Sequence, residues 1–185
     1  REPRTDRWRT GGAVGLLDSA VYAEGPWQGG GIMMGVRRSY FDIVAGPFAA
    51  EDTPMPSYWD AQIRTSFGSP TKRGRVAPLL FLALDQMTRT EPGRDRFENE
   101  TSITSFFIRV AAPYERRWGD TALRVVPWAG ANQLSFRSRV NGVVERFKRP
   151  VYPGGVRSEL ARDVRWGQLR GGLDLQGGYI AHHQS

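Results

Sequence analysis

The sequence predicts an all-β fold, an antiparallel transmembrane β-barrel built as a meander of about nine strands. Three observations predict it. Apolar and polar residues alternate over runs of about ten, the length a tilted strand needs to cross a bilayer, whereas ordinary strands run to about five or six. Breaks between the runs alternate between short and long, as periplasmic turns and extracellular loops do. Aromatic residues gather at the ends of the runs, as rings with one apolar side and one wet end do at the two membrane interfaces. Helical periodicity is scarce, and 22 Gly and 12 Pro spread through the chain argue against long helices.

In chain order, the first strand is expected at about 7–17 and the second at about 19–25, with GPWQGGG (25–31) as the first short turn. The third rises from about Gly31, with Ile32, Met34 and Val36 on one face and Met33, Gly35 and Arg37 on the other. After a long break at 45–56, Trp59, Ala61, Ile63, Thr65 and Phe67 interleave with Tyr58, Asp60, Gln62, Arg64 and Ser66, up to a short break at 68–75. A second long break spans 88–102. Phe106, Ile108, Val110, Ala112 and Tyr114 then oppose Phe107, Arg109, Ala111, Glu115 and Arg117, ending at a short break at 118–120. A third long break is expected around 139–155. Beyond it Val156, Leu160, Val164 and Trp166 oppose Arg157, Glu159, Asp163 and Arg165. After a short break at 166–168, Leu169, Leu173, Leu175 and Tyr179 oppose Arg170, Asp174 and Gln176. Pro78, Pro113 and Pro127 fall inside strand candidates, where Pro removes a ladder donor, so bulges or shifted boundaries are expected there.

Two adjacent arginines sharpen the membrane reading. Arg37 and Arg38 must point to opposite faces of a strand, so both can be wet only near its end. Counting from Gly31, they stand where a strand of about nine to eleven residues leaves the hydrocarbon. Arg37 is expected in a polar lumen and Arg38 at the lipid-side rim, where an arginine costs only about 0–1 kcal/mol against about 2–4 at the midplane. Tyr40, Phe41, Trp59, Tyr114, Trp118 and Trp166 are expected beside Arg38 at the membrane interfaces.

Composition bounds the alternatives. The formal charge is +7, yet Lys72 and Lys148 are the only lysines among 26 cationic residues. Arg used this way favours bidentate pairing with carboxylates or phosphates. The cations are spread among strands and mixed with carboxylates, which argues against a nucleic-acid stripe. The GGG at 29–31 is followed by no helix and no Lys-Ser/Thr pair, so it reads as a tight turn and not a phosphate cradle. Without cysteine there are no disulfides, zinc thiolates or thiol nucleophiles, and no metal site or cofactor is expected. His182 and His183, beside Ser185, are the only imidazole bases, with no nucleophile elbow, so no enzyme is expected. A small outer-membrane barrel with a structural or lipid-hydrolase role and a soluble β-barrel or sandwich binding module remain as alternatives.

The stretch GLLDSAVYAEGPWQGGGIMMGVRRSYFDIV resembles the first barrel hairpins of TonB-dependent receptors. YWDAQIRTSFGS and VAPLLFLALDQMTRTEP resemble the next strands, so the likeness covers about residues 4–90. Its most specific parts are Glu24-Gly25-Pro26 and Arg37-Arg38-Ser39-Tyr40-x-Asp42. A complete member adds a plug domain, a TonB-contacting box and a barrel of 22 strands. This chain is therefore expected to be a single barrel segment over 1–185 without its plug. The resemblance implies an outer-membrane location and energised uptake of a scarce, unidentified ligand, with outer-membrane lipid or lipopolysaccharide, the plug and a TonB-type protein as partners. Within it, Arg37, Asp60 with Arg64, Arg109 with Glu115, Arg124, Glu159, Asp163 with Arg165, and Arg170 with Asp174 would line the lumen, facing plug or ligand.

Overall fold

The computed structural model describes residues 2–49, 53–91, 99–140, 142–181 and 183–184. They form one antiparallel sheet of twelve strand segments. These are β1 Arg9–Val14, β2 Asp18–Trp27, β3 Gly30–Ser39, β4 Met55–Ser69, β5 Gly74–Val76 and β6 Leu79–Glu91. Then follow β7 Asn99–Ala111, β8 Tyr114–Trp118, β9 Thr121–Val140, β10 Val143–Val164, β11 Gly167–Ile180 and β12 His183–Gln184. A short helix, α1 Phe41–Ala45, and one 3-10 turn, Gly46–Phe48, lie between β3 and β4.

One register runs through the whole sheet. Thr10 pairs with Ala23, Ala23 with Met34, Met34 with Ile63, and Ile63 with Leu80. Leu80 pairs with Val110, Val110 with Ala129, Ala129 with Gly154, and Gly154 with Gly177. Pro78 and Pro113 separate β5 from β6 and β7 from β8 without shifting this register. Arg64 pairs with Leu79 before the first break and Phe67 with Val76 after it, three residues further on each side. The prolines are thus not bulges. Their carbonyls still accept, Pro78 from Thr65 N–H at 2.9 Å, Pro113 from Ala77 N–H at 2.8 Å and Pro127 from Ala112 N–H at 3.0 Å. Taking β5 with β6 and β7 with β8, and setting aside two-residue β12, nine runs remain, as the alternation predicts.

Several expected boundaries move. The first turn contracts from 25–31 to Gln28 and Gly29, both with positive φ, because Gly25, Pro26, Trp27, Gly30 and Gly31 all pair across the hairpin. The first strand shortens to β1 and the second lengthens to β2. No long loop occupies 139–155: β9 and β10 pair up to Val140 and Val143, residue 141 lying outside the described residues. The expected break at 88–102 also shrinks, since β6 reaches Glu91 and β7 starts at Asn99, with 92–98 outside the described residues. Part of the break at 45–56 is α1 and the 3-10 turn, with 50–52 outside the described residues.

Because directly opposed residues share a face, the register sorts every strand residue into one of two sides. The row from Thr10 to Gly177 lies on one side, together with Val21, Val36, Ala61, Leu82, Leu84, Phe106, Ile108, Val125, Val156, Leu173 and Leu175. Arg37 and Asp60 are directly opposed on the other side. Neither side is covered by a second layer: among the described strand residues the buried apolar side chains amount to Ala83, with Ala77 beside β5 and Pro3 in the N-terminal segment. Val21, Val36, Phe106, Val156, Leu173 and Leu175 are all exposed.

Glycine appears where a strand must leave room for a neighbour's side chain. A Cβ at Gly130 would meet the Arg109 guanidinium and the Ile108 carbonyl, whereas one at Gly177 would meet nothing within 4 Å. Gly130→Ala is therefore expected to destabilise the fold by about 1–3 kcal/mol. Gly177→Ala should stay within ~0.5 kcal/mol of the parent, as read from urea unfolding midpoints.

Candidate functional site

The charged face carries a set of side-chain pairs that cross from strand to strand. Near one end, Arg37 Nε donates to Asp60 Oδ2 at 2.7 Å, and its guanidinium lies 5.0 Å from the Tyr58 ring centre. Tyr58 in turn donates its hydroxyl proton to Asp18 Oδ2 at 2.7 Å. The three strands β2, β3 and β4 are thereby tied together beside a hollow of about 600 Å³, whose lining includes Tyr22, Glu24, Met33, Arg37, Asp60 and Phe81.

In the middle of the sheet Arg109 donates to Asn132 Oδ1 at 2.6 Å and to the Ile108 carbonyl at 3.1 Å. Its guanidinium lies between Phe107 and Trp128, 5.8 and 5.7 Å from their ring centres. The absence of a side chain at Gly130, directly opposite, makes that position possible.

Toward the short-turn end, Arg75 bonds both Glu115 and Glu2, and Glu115 also pairs with Arg124 at 3.4 Å. Residues 2–4 approach this same face, since a Cβ on Gly31 would meet Pro3 and the Arg4 carbonyl. In the last strands, Arg117 pairs with Asp163 at 3.8 Å, Arg170 with Glu159 at 3.7 Å and Arg157 with Asp174 at 3.5 Å. Gln168 links two of these, donating to Asp163 at 2.6 Å and accepting from Arg170 at 2.6 Å.

Most of the side chains expected on one polar face do lie on it, and their partners are set by the register between strands. Asp60 pairs with Arg37 instead of Arg64, because residues four apart along one strand are separated by ~13 Å whereas opposed ones are ~5 Å apart. Arg64 makes no ion pair with another described residue. Arg109 and Glu115 each find other partners, Asn132 for the first and Arg75 with Arg124 for the second. Arg165 leaves the face altogether: it and Trp166 form the turn between β10 and β11. Asp18, Tyr58, Arg75, Arg117, Asn132, Arg157 and Gln168 were not among the expected site residues, although their parity along the strands marks the side they occupy.

On the apolar face the Arg38 guanidinium lies 4.8 Å from the Trp59 ring centre. Trp27 contacts Phe67 at 5.6 Å, Tyr152 stacks on Tyr179 at 6.5 Å, and Trp8 covers Gly25. Tyr114 and Trp118 share this face through their opposition to Val125 and Thr121. Tyr40 and Phe41 do not continue the ring row. Tyr40 ends β3 and turns back, its hydroxyl donating to the Gly15 carbonyl and to the Asp18 carbonyl at 3.0 Å, and Phe41 opens α1. His182 lies outside the described residues, and β12 brings the backbone of His183 opposite Lys148.

The protein is thus defined as an all-β antiparallel sheet with one charged and one apolar face. Comparison of the chain with protein-family models, with curated proteins and with solved structures finds no match.

Among the ion pairs of the described residues Arg75 is the least exposed cation, with its side chain 14% accessible against 57% for Arg124. Arg75→Ala removes this partner from Glu2 and leaves Glu115 with Arg124 alone, and is expected to cost about 1–3 kcal/mol. Arg124→Ala should cost less than about 1 kcal/mol, both measured by denaturant titration.

Proposed function

We propose that this sheet is part of the wall of a transmembrane β-barrel of the TonB-dependent receptor kind, serving energised uptake of a scarce ligand across an outer membrane. The observation that carries the reading is the two-sided sorting of side chains. From Trp59 to Phe67 the outward row is Trp59, Ala61, Ile63, Thr65 and Phe67, and the equivalent row on β9 is Leu123, Val125, Pro127, Ala129 and Ala131. Eight residue steps at ~3.3 Å, on a strand tilted by ~30°, rise ~23 Å, close to the ~25 Å apolar band of outer-membrane barrels.

The tilt has its own support. β2 runs four residues beyond Ala23 to Trp27, whereas β11 runs ten from Gly177 back to Gly167, so the short-turn end slips by six residues over seven strand spacings. At ~3.3 Å per residue and ~4.8 Å per strand, this slope is roughly 30°, near the strand tilt of barrels.

Among the described strand residues, the charged side chains on the apolar face are Arg38 and Arg116, level with the band's end residues Trp59 and Leu123, and Glu100, Arg137, Arg139, Arg146, Lys148 and Arg162, beyond the band. Trp8, Trp27, Phe67, Tyr114 and Trp118 edge it on the short-turn side, with Trp59, Tyr152 and Tyr179 on the other. The charged face then serves as lumen lining. Its pairs hold neighbouring strands, and Arg37, Asp60 and the hollow beside them are available to a plug segment or a passing ligand. Outer-membrane lipid, a plug and an energising protein are the partners this reading entails. It assigns no catalytic residue or cofactor and no nucleic-acid partner.

The test is electrophoretic migration of the full-length gene product from isolated outer membranes with and without boiling. A compact band that shifts on boiling is expected. A soluble product without a shift would overturn the proposal. Leu80→Arg, opposite Ile63 in the middle of the outward row, should cost about 2–4 kcal/mol in a lipid-vesicle refolding titration. An unchanged midpoint would mean that this face does not meet hydrocarbon.

A further inference from the structure

The hairpin of β9 and β10 runs well past the band, and beyond it cations collect on the outward face. Arg146 is directly opposed to Arg137 on that side of the sheet. Arg139 follows two residues after Arg137, and Lys148 lies two residues along β10 from Arg146. All four side chains are exposed, and none makes an ion pair with another described residue. Among the described residues the single carboxylate facing them is Glu100, opposed to Arg139. Like charges directly across a strand pair destabilise it, so this arrangement calls for an anion between them.

We propose that Arg137, Arg139, Arg146 and Lys148 form a docking surface for the phosphate groups of an outer-leaflet glycolipid. This inference rests on the barrel reading above. The surface lies on the same side of the sheet as the apolar band: on β10 Pro150 alone separates Lys148 from Tyr152, and on β9 Gln133 and Ser135 separate Arg137 from Ala131. A lipid whose acyl chains lie on the band therefore has its headgroup beneath these cations.

Height selects the class of lipid. Lys148 is four residues and Arg146 six residues beyond Tyr152, which with the ~30° tilt sets them ~11 and ~17 Å above the aromatic edge. The headgroup layer of an ordinary phospholipid is only about 5–8 Å thick on each side. Phosphates carried on sugars outside the acylated unit reach further, and the guanidinium fork suits them by its bidentate geometry. The other face of the same stretch carries Glu145, Phe147 and Arg149, opposed to Ser138, Phe136 and Leu134, so the basic cluster is confined to the lipid side.

The experiment uses the full-length protein in phosphatidylcholine vesicles containing either rough-type lipopolysaccharide with phosphorylated core sugars, the same glycolipid after phosphatase treatment, or phosphatidylglycerol at matched charge. A further sample receives inorganic phosphate alone. The temperature midpoint of heat-modifiability is read in each. The phosphorylated glycolipid is expected to raise the midpoint, and the other three additions to raise it by less than half as much. Arg137→Gln/Arg146→Gln/Lys148→Gln should lose most of the rise, while Glu145→Gln/Arg149→Gln on the other face keeps it. Glycolipid phosphate retained per protein after gel filtration gives a second reading that does not depend on a stability change. An equal rise in the triple variant would overturn the inference, as would an equal rise with phosphatidylglycerol or free phosphate. Failure to insert into any vesicle would overturn the barrel reading and this inference with it, whereas insertion with no glycolipid response overturns this inference alone.

Discussion

A single register of backbone hydrogen bonds, carried from Thr10 in β1 to Gly177 in β11, decides where every strand side chain of this protein points. In a β-sheet a slip of one residue exchanges the two faces of a strand entirely. One slip anywhere in this meander would put Arg109 or Asp60 among the leucines of the outward row. The sheet has no second layer to correct such an error, since its buried apolar side chains amount to Pro3, Ala77 and Ala83 among the described residues. Stability therefore rests on the ladder itself and on cross-strand side-chain pairs, supplemented by whatever medium covers the two faces.

The charged pairs are the specific part of that arrangement. Arg37 with Asp60, Arg157 with Asp174, and Arg75 with Glu115 join different strands, so each favours one register over its neighbours. Such pairs contribute little energy where water reaches them, about 0–1 kcal/mol each. Their value lies in choosing among alignments that the backbone alone would accept. The Tyr58 bond to Asp18 spans two strands and does the same for the first hairpin, with Tyr40 closing the Gly15–Asp18 turn from the other side.

How much of this could be read from the sequence depends on which physical period was involved. Which face a residue occupies follows from parity within one strand, and so the sides of Phe106 and Phe107, or of Arg37 and Arg38, were legible without any partner. Which residues pair depends on the register between strands, so Arg109 with Asn132 and Arg75 with Glu115 were not. The stretch 139–155 misled for a different reason. Charges there fall on both faces, as Arg146 and Arg149 show, and the alternation that marks a half-apolar strand vanishes although backbone pairing continues. Arg165 and Trp166 fit the alternation of β10 but belong to its turn, because periodicity does not say where a strand stops.

The prolines have a mechanical consequence. Pro78, Pro113 and Pro127 fall on three neighbouring seams, and each contributes a carbonyl to the ladder but no donor. Along this oblique line the lateral cohesion of the wall is weaker than above or below it, while the alignment of the strands is kept. A sheet that has to curve bends first where its cross-links are fewest. The line is therefore a built-in crease, able to take up curvature in one narrow zone and leave the flanking leucine rows and arginine pairs in their own flat geometry.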